Sequence, residues 1–406
     1  MEILKTIFCF LLLMQFSINA YSEIALTFTA WDYEMVGEKD FYEQLIKDFE
    51  SANPDIKIQF ELRSWEAAYS QIGEWIKAGK GSDLFIIPDI WMPEYISCIE
   101  PYEKYFDKNK TAEFFPVFFQ RSMYEGKLIG LVWAASTKAL FYRTDLFESA
   151  NLKPPATWQE LLGTALSLND PPRVYGIGLP GKSVNDTASN FYLFFWSVGG
   201  EFFDANKKCI INTTVGIKAL QFYVDLVNRY HITQPEVTSW SKNELQRLFE
   251  QGRLAMLETG PWAMDSIKKN SPDLKFSVTS LPRENVQVTE IVTDNIVILN
   301  SSANKDACAK FIDFAYQDKY RLAFAKLGMV PEKITVSNDD FFQKDAKWKV
   351  FVDMISSARS TPLMQWDKIE SAISNAIYDA LTGRKTPKQA LDDVANEIDK
   401  IVAKPQ

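Results

Sequence analysis

The sequence predicts an α/β protein of two lobes, each a mostly parallel sheet flanked by helices. The chain has 406 residues, which suggests two or three domains at about 150 residues per domain. Strand and helix patterns alternate along it, as in sheets that are covered by helices on both faces. Neither a low-complexity linker nor a solenoid repeat interrupts the alternation. We therefore expect two compact lobes joined by short crossings of the chain.

The first 22 residues are predicted to be a secretory signal peptide rather than part of a lobe. Lys5 precedes the apolar run 7–14, and small residues follow at Ala20 and Ser22. This apolar run is too short to span a bilayer comfortably. Cleavage after Ala20 or after Ser22 fits the pattern, so the mature protein is expected to be exported.

Apolar periodicity and chain breakers place the elements in order. In the first part we predict a strand at 24–29, a helix at 38–51, a strand at 56–62, a helix at 65–78 and a strand at 83–87. Further along we predict helices at 158–168, 215–229 and 243–251, strands at 254–257, 276–279 and 296–299, and two final helices at 369–381 and 387–401. Thr157 and Thr386 are the expected N-caps, and Gly383 closes the penultimate helix.

The charge balance and the histidine count exclude several classes of function. The chain carries 44 basic and 53 acidic residues, and the resulting net charge of −9 disfavours nucleic acid and anionic membranes as partners. His231 is the only histidine, which disfavours a Ser-His-Asp triad and excludes a multi-histidine metal site. We predict neither a metal nor a cofactor, and we assign His231 a structural role.

Three cysteines remain after the predicted signal peptide, Cys98, Cys209 and Cys308. Their wide spacing forms no metal motif and is too sparse for a disulfide framework. One disulfide plus a free thiol, or three buried thiols, both fit this spacing, and we favour the second.

The most distinctive segment spans residues 252–263. A helix ends at Gly252, a buried strand runs through 255–257, and Gly260-Pro261 forms a sharp turn that presents Trp262. This segment resembles the signature of the extracellular solute-binding proteins of ABC importers, in the group that includes maltose-, trehalose- and glycerol-phosphate-binding proteins. The resemblance covers nearly all of residues 24–400 and includes further segments in the same order, at 126–131 with 140–147, 155–161, 304–312, 327–331 and 382–387.

The resemblance implies a two-lobe clamp that holds its ligand in the cleft between the lobes. The chain is then expected to cross between lobes near residues 134–138, 291–296 and 327–333. Lobe one comprises residues 23–135 and 295–330, and lobe two comprises residues 136–294 and 331–406. The resemblance also implies a periplasmic monomer that passes its ligand chemically unchanged to an ABC permease in the inner membrane, so no catalytic residue is assigned.

A sugar site needs aromatic planes for the apolar faces of the ring and polar side chains for its hydroxyl rim. Aromatic residues make up 14% of the chain, a supply that exceeds what core packing alone requires. The candidate planes are Trp31, Trp65, Trp91, Trp133, Trp262 and Trp366. Trp262 and Trp366 match the stacking positions of the resembled family most closely, and for the other four core packing is the favoured interpretation.

The candidate rim residues follow predicted strands or resemble polar positions of the family. Asp89 follows the apolar strand and is either a hydroxyl ligand or a helix cap. Glu38 and Arg63 come after the first and second strands, where open α/β sheets bind ligands, although either side chain suits a solvated surface equally. Arg359 resembles an arginine of the last cleft loop, with a surface ion pair as the alternative. Gly328, in the segment 327–331, completes this group of candidates.

One segment departs from the family pattern. Many sugar-binding relatives have a Gly-Gly pair before the returning strand, whereas this chain has Thr293-Asp294-Asn295. Without glycine the backbone cannot approach a ligand as closely, so we expect Asp294 and Asn295 to contribute side-chain contacts.

The preferred hypothesis is an exported binding protein for a neutral di- or oligosaccharide. An alternative with the same fold is a binding protein for a phosphorylated polyol such as glycerol phosphate, which would need Arg63, Arg359 and Lys138 to converge on the phosphate. A carbohydrate-active enzyme is the alternative from another class. It would need a pair of carboxylates, available in principle from Glu38, Asp89 and Asp294, but no segment resembles a hydrolase motif.

Overall fold

The computed structural model describes residues 23–364 and 366–403. The predicted signal peptide and its cleavage sites at Ala20 and Ser22 lie outside the described residues. Within the described part, no helix is both long and apolar enough to cross a membrane.

Strands β1 to β3, β6, β10 and β11 form the larger sheet, and β7 to β9 form a smaller one. The strands are β1 (Ile24–Asp32), β2 (Ile56–Ser64), β3 (Leu84–Pro88), β4 (Met123–Tyr124), β5 (Lys127–Leu128), β6 (Leu131–Thr137), β7 (Ala139–Arg143), β8 (Met256–Thr259), β9 (Phe276–Thr279), β10 (Thr289–Ile298) and β11 (Ala358–Arg359).

Helices pack on these strands throughout the described chain. They are α1 (Glu38–Ala52), α2 (Ala68–Ala78), α3 (Met92–Tyr95), α4 (Pro116–Phe119), α5 (Thr144–Ser149), α6 (Trp158–Leu168), α7 (Asn185–Ser197), α8 (Thr214–Asn228), α9 (Lys242–Glu250), α10 (Trp262–Asn270), α11 (Lys305–Ala315), α12 (Asp318–Ala325), α13 (Ile334–Ser337), α14 (Asp340–Lys344), α15 (Ala346–Met354), α16 (Trp366–Leu381) and α17 (Pro387–Val402). Short 3-10 turns follow β2 and β3 at Trp65–Ala67 and Asp89–Trp91.

The larger sheet has the strand order β11-β10-β3-β1-β2, and β6 also pairs with β10. β1 runs parallel to both β2 and β3, so the carboxyl ends of these three strands meet at one edge. β10 runs antiparallel to β3, and Asp294 pairs with Pro88. The start of β10 therefore lies at the same edge as the ends of β1, β2 and β3.

The two-lobe α/β class is confirmed, but the pairing predicted for the second lobe is wrong. The strands of its sheet have the order β8-β7-β9, and β7 is antiparallel to both neighbours. Parallel pairing in the described part of this lobe occurs between β10 and β11 and in single bridges such as Tyr175 with Leu254. The alternation of strands and helices misled the prediction because β7 follows directly from β6 and is inserted between strands that come later in the chain.

Two separate apolar cores lie in the two halves of the molecule. One core draws its buried residues from 26–134 and from 296–329. The other draws them from 140–398, mainly from α6, α7, α8, α16 and α17. A third cluster contains residues of β6, β7, α9 and α15 and lies where the chain passes between the halves. The lobe boundaries predicted from the sequence follow the same division and remain a prediction.

Candidate functional site

The turn after β1 is closed by a buried carboxylate. Glu38, in the first turn of α1, is 2% exposed, and its Oε2 accepts the backbone N–H of Tyr33 at 3.0 Å and that of Met35 at 3.5 Å. This arrangement fixes the chain between β1 and α1 and holds the Tyr33 ring at the carboxyl edge of the sheet. Glu38 therefore has one oxygen committed to the backbone.

Tyr33 also reaches the start of β10. Its hydroxyl donates to Asp294 Oδ2 at 2.8 Å, and Asp294 is 6% exposed. One tyrosine thus joins the turn after β1 to the strand that returns from the other lobe. The sequence prediction of Asp294 as a polar residue of this edge agrees with its position.

Burial dominates the electrostatics of both carboxylates. It raises the pKa of Asp294 to about 7, with the Asp89 charge adding to the shift and the Tyr33 hydrogen bond opposing it. Burial likewise raises the pKa of Glu38 to about 8, while the backbone N–H groups of Tyr33 and Met35 act in the opposite direction. Both groups therefore change charge near neutral pH.

Asp89 does not cap the turn that it begins, and its role as a hydroxyl ligand stays a prediction. Its Oδ2 accepts Arg121 Nε at 2.5 Å and also the hydroxyl of Thr293, and no helix-capping bond is formed. Arg121 is 7% exposed and also bonds to the opposite side. Its Nη1 donates to the backbone oxygen of Thr361 at 2.7 Å and to Ser360 Oγ at 3.2 Å. Asp89 and Arg121 thus form a buried bridge between the two sides.

The facing side carries a second set of buried polar groups at the end of β8 and on α7. Asn190 Nδ2 donates to Glu258 Oε2, and Ser189 Oγ donates to Glu290 Oε2. Burial raises the pKa of Glu290, whereas Lys242 and Lys138 act to lower it. The positive charges of Lys138 and Lys242 thus partly offset the effect of burial on Glu290.

Trp262 lies immediately after these groups, as the Gly-Pro turn predicts. Its ring folds back onto Gly260, where a Cβ atom would come within 2.0 Å of Trp262 Cζ3, so only glycine fits at that position. Lys138 Nζ lies 4.4 Å from the ring centroid. Trp262 is partly buried and occupies the edge where the two sides meet.

Gly328 lies where segments from the two sides pack against each other. It has φ +141°, and a Cβ atom there would lie 3.4 Å from Met35 Sδ and 3.5 Å from Trp262 Cα. Met35 follows β1 and Trp262 follows β8, so the absence of a side chain at Gly328 lets both segments pack at the crossing. Its predicted place at the site agrees with this geometry.

A row of aromatic rings lines the carboxyl edge of the larger sheet. Tyr33 and Trp65 have ring centroids 5.4 Å apart, Trp65 and Trp91 stack at 6.2 Å, and Tyr69 lies 5.1 Å from Trp91. All four rings are partly or largely exposed, unlike the core aromatics. Of the six predicted planes, Trp65, Trp91 and Trp262 are therefore accessible here.

The other three predicted planes are removed from solvent. Trp31 and Trp133 are 0% exposed and pack in the core, where Trp31 Nε1 donates to the Ile86 oxygen and Trp133 Nε1 donates to the Tyr42 hydroxyl. Their assignment as stacking planes is corrected, because a ring enclosed by core side chains has no face for a solute. Trp366 is 1% exposed and packs on Phe202 at 4.9 Å.

Three predicted polar contacts are engaged elsewhere. Arg63 pairs with Glu61 at 2.5 Å. Arg359 pairs with Glu201 at 2.6 Å, the surface ion pair given above as its alternative. Asn295 is fully buried, accepting from Ser122 Oγ at 2.7 Å and donating to the Arg121 oxygen at 3.3 Å. Its prediction as a ligand contact is corrected, because both ends of its amide already have protein partners.

The arrangement can accept hydrogen bonds from a polar solute. Three buried carboxylate oxygens have no hydrogen-bond partner among the described residues, namely Glu38 Oε1, Asp294 Oδ1 and Glu258 Oε1. An unpaired buried acceptor costs about 1–3 kcal/mol, so a hydroxyl placed against each of them is stabilising. In the described part of the chain, no group of three or more metal-ligating side chains lies close enough to hold a metal ion.

Sequence reasoning missed several residues of this site. Tyr33 follows a strand directly, and Glu258 precedes the Gly-Pro turn, so their positions at strand ends are signals that could have identified them. Arg121 and Asn190 gave no comparable signal. Arg121 lies in an irregular 3-10 turn, and Asn190 lies within the aromatic segment of α7.

Comparisons with known proteins agree with this architecture. A family model described as bacterial extracellular solute-binding protein matches residues 36–321. A putative binding protein of Brucella abortus is 31% identical over 90% of each chain, and the maltotriose-binding protein of Pyrococcus abyssi is 23% identical over 86% of this chain and 77% of its own. An ABC transporter solute-binding protein from Thermotoga lettingae, solved with bound α-D-tagatose, superimposes with a TM-score of 0.84 at 26% identity, covering 94% of this chain and 100% of its own.

Proposed function

The chain belongs to the family of bacterial extracellular solute-binding proteins, and on that premise we propose that it captures a di- or oligosaccharide for an ABC importer. In this proposal the solute lies between the carboxyl edge of the larger sheet and the end of β8. The protein then delivers it unchanged to a permease in the inner membrane. It acts as a periplasmic monomer after removal of its signal peptide.

The observation that carries the proposal is the meeting of unpartnered carboxylate oxygens and accessible rings at one edge. Glu38, Asp294 and Glu258 supply acceptors, while Trp65, Trp91 and Trp262 supply apolar planes. Hydroxyls in the plane of a pyranose and apolar C–H groups on its faces need this combination. The maltotriose-binding relative and the tagatose-bound structure support a saccharide as the solute.

The phosphorylated polyol gains no support from the geometry. Arg63 and Arg359 are paired with carboxylates, and Lys138 lies beside Trp262 and acts on the buried Glu290. A phosphate would need cations that converge on one point, whereas these three side chains serve other partners.

A thermal-shift screen of the mature chain tests the proposal. The panel contains mono-, di- and trisaccharides, polyols and glycerol phosphates. A ligand that binds the native state raises the melting temperature by mass action, so a shift with a di- or trisaccharide is expected. A shift confined to phosphorylated polyols would replace the proposal by its alternative.

The absence of catalysis is tested on the same preparation. The ligand recovered after denaturation should be chemically identical to the one supplied. Turnover of a chromogenic glycoside that is lost in Asp89→Asn would instead identify the protein as a carbohydrate-active enzyme.

A further inference from the structure

Three carboxyl groups lie on the side of the cleft around Tyr33. These are Asp32 at the end of β1, Glu38 at the start of α1 and Asp294 in the middle of β10. Tyr33 connects them, since it donates through its backbone N–H to Glu38 and through its hydroxyl to Asp294. Both Glu38 and Asp294 also act electrostatically on the Tyr42 hydroxyl behind Tyr33.

None of these three carboxylates forms an ion pair with a lysine or arginine among the described residues. The cations nearby are already engaged. Arg121 is bound to Asp89. Arg321, which lies behind Tyr42, is paired with Glu332 at 2.6 Å. This contrasts with the facing side, where Glu290 has Lys138 and Lys242 close to it.

The unpartnered oxygens show which kind of group this side would accept. Glu38 Oε1 and Asp294 Oδ1 have no hydrogen-bond donor, although their residues are only 2% and 6% exposed. A neutral hydroxyl supplies only a donor, whereas an ammonium group supplies a donor and also stabilises the charged form of these carboxyl groups, which burial alone disfavours. The adjacent ring pair of Tyr33 and Trp65 offers π faces, which also favour a cation.

We propose that the solute is an amino sugar whose protonated amine lies against Glu38 and Asp294, beside the rings of Tyr33 and Trp65. This inference rests on the proposed function. It specifies that the saccharide carries a positive charge. The remaining hydroxyls of the sugar then lie toward Glu258 on the facing side, where Lys138 and Lys242 already balance the charge of Glu290.

The test compares sugars that differ only in the amine, using the full mature chain. The pairs are glucosamine with glucose, galactosamine with galactose, and the β-1,4-linked disaccharide of glucosamine with cellobiose and with its N-acetylated form. Affinities are measured calorimetrically at a pH below the pKa of the sugar amine. We expect at least one amino form to bind at least about tenfold tighter than its neutral partner, as a charge-assisted hydrogen bond provides.

Two variants of equal size locate the effect. Asp294→Asn should abolish the preference for the amino form, because it removes the charge while keeping the shape. Asp313→Asn is the matched control, since Asp313 is an exposed carboxylate on α11 that pairs with Lys110. The preference for the amino form should persist in this variant. If Asp294→Asn does not fold, Glu38→Gln is used instead. The comparison of amino and neutral sugars on the unmodified protein is a test that depends on neither variant.

The outcomes separate this inference from the proposed function. Binding of a neutral saccharide as tight as that of its amino form overturns the inference and leaves the proposed function intact. A preference that survives in Asp294→Asn also overturns it. A thermal shift with a phosphorylated polyol and with none of the saccharides overturns both.

Discussion

Trp262 lies between Gly260 and Lys138 at the point where β8 leaves its sheet. Truncation to alanine removes one apolar plane from the proposed site. We expect Trp262→Ala to weaken saccharide binding by about 1–3 kcal/mol, the contribution of one buried aromatic side chain. Isothermal titration calorimetry measures the loss.

The control for this prediction is Tyr230→Ala. The Tyr230 ring lies under Arg229 at the end of α8, so its removal should leave affinity unchanged. An unaltered affinity in a folded Trp262→Ala protein would exclude Trp262 from the site.

Asp294 and Glu38 make stability depend on pH in an unusual direction. Burial raises their pKa values to about 7 and about 8, from ordinary values of 3.8 and 4.5. At pH values between the ordinary pKa and the raised pKa of each group, the folded protein binds more protons than the unfolded chain. Its free energy of unfolding therefore falls as pH rises through this range. The slope is at most about 1.4 kcal/mol per pH unit for each group.

Urea unfolding of the ligand-free protein across this interval measures the effect. Asp294→Asn should flatten the dependence, because the amide does not titrate. A free energy of unfolding that increases with pH over the same range would contradict the prediction.

Single residues also show the limits of sequence reasoning. Trp31 and Trp262 both follow apolar strand patterns, and only the glycine-proline turn distinguishes the accessible ring from the core ring. The Asp89–Arg121 bridge could not be predicted, because it joins residues far apart in the chain through an irregular turn. Asp294 could be predicted, because the substitution of a Gly-Gly pair by polar residues is visible in the sequence.

At the level of elements, the last helix is fixed by its first turn. Thr386 accepts the backbone N–H of Gln389 while the Gln389 side chain returns to the Thr386 backbone, and Pro387 occupies the first turn. Replacing Thr386 by alanine removes this capping box and should lower the free energy of unfolding by about 1 kcal/mol.

Chemical denaturation measures this change. Thr382→Ala is the matched control, since that hydroxyl only bonds back to the Tyr378 and Asp379 oxygens, and its effect should be smaller. Equal losses in the two variants would show that the cap contributes nothing specific.

Elements with a clear periodicity were predicted well. Helix α6 begins and ends where predicted, with Thr157 as its cap, and β9 spans the predicted residues. Helix α7 was missed because its aromatic run is buried almost all round and therefore shows no amphipathic period. The pairing in the second sheet was mispredicted because strand order depends on contacts that a local pattern does not encode.

For the whole molecule, the Asp89–Arg121 bridge is a direct connection between the two sides of the cleft. Arg121 Nη1 holds the Thr361 oxygen while its Nε binds Asp89. In Arg121→Lys the charge beside Asp89 remains, but the forked reach to Thr361 is lost. We expect ligand to dissociate about tenfold faster, since one buried charge-assisted hydrogen bond is removed from the closed form.

Stopped-flow fluorescence measures the dissociation rate, and small-angle scattering should show a larger radius of gyration. Arg173→Lys is the control, because Arg173 pairs only with Asp170 on the surface. An unchanged dissociation rate in Arg121→Lys would mean that the bridge has no role in closure.

The global architecture was predictable mainly through the family resemblance. Alternating patterns indicate two α/β units, but they do not show that the chain returns to the first unit through β10. The order of the resembling segments supplied that information, and the two separate cores follow it.

The return of β10 has a consequence for how the chain is made. β10 and β1 both border β3 in the larger sheet, yet β10 leaves the ribosome only after the whole of β7, α7 and α8 has been synthesised. At roughly 5–20 residues per second this delay lasts on the order of ten seconds or more. During that time the first core lacks its neighbouring strand and the helices at 305–325, so it cannot close. The first core is therefore completed only after residue 329 has been synthesised, which suits the export that we propose for this protein.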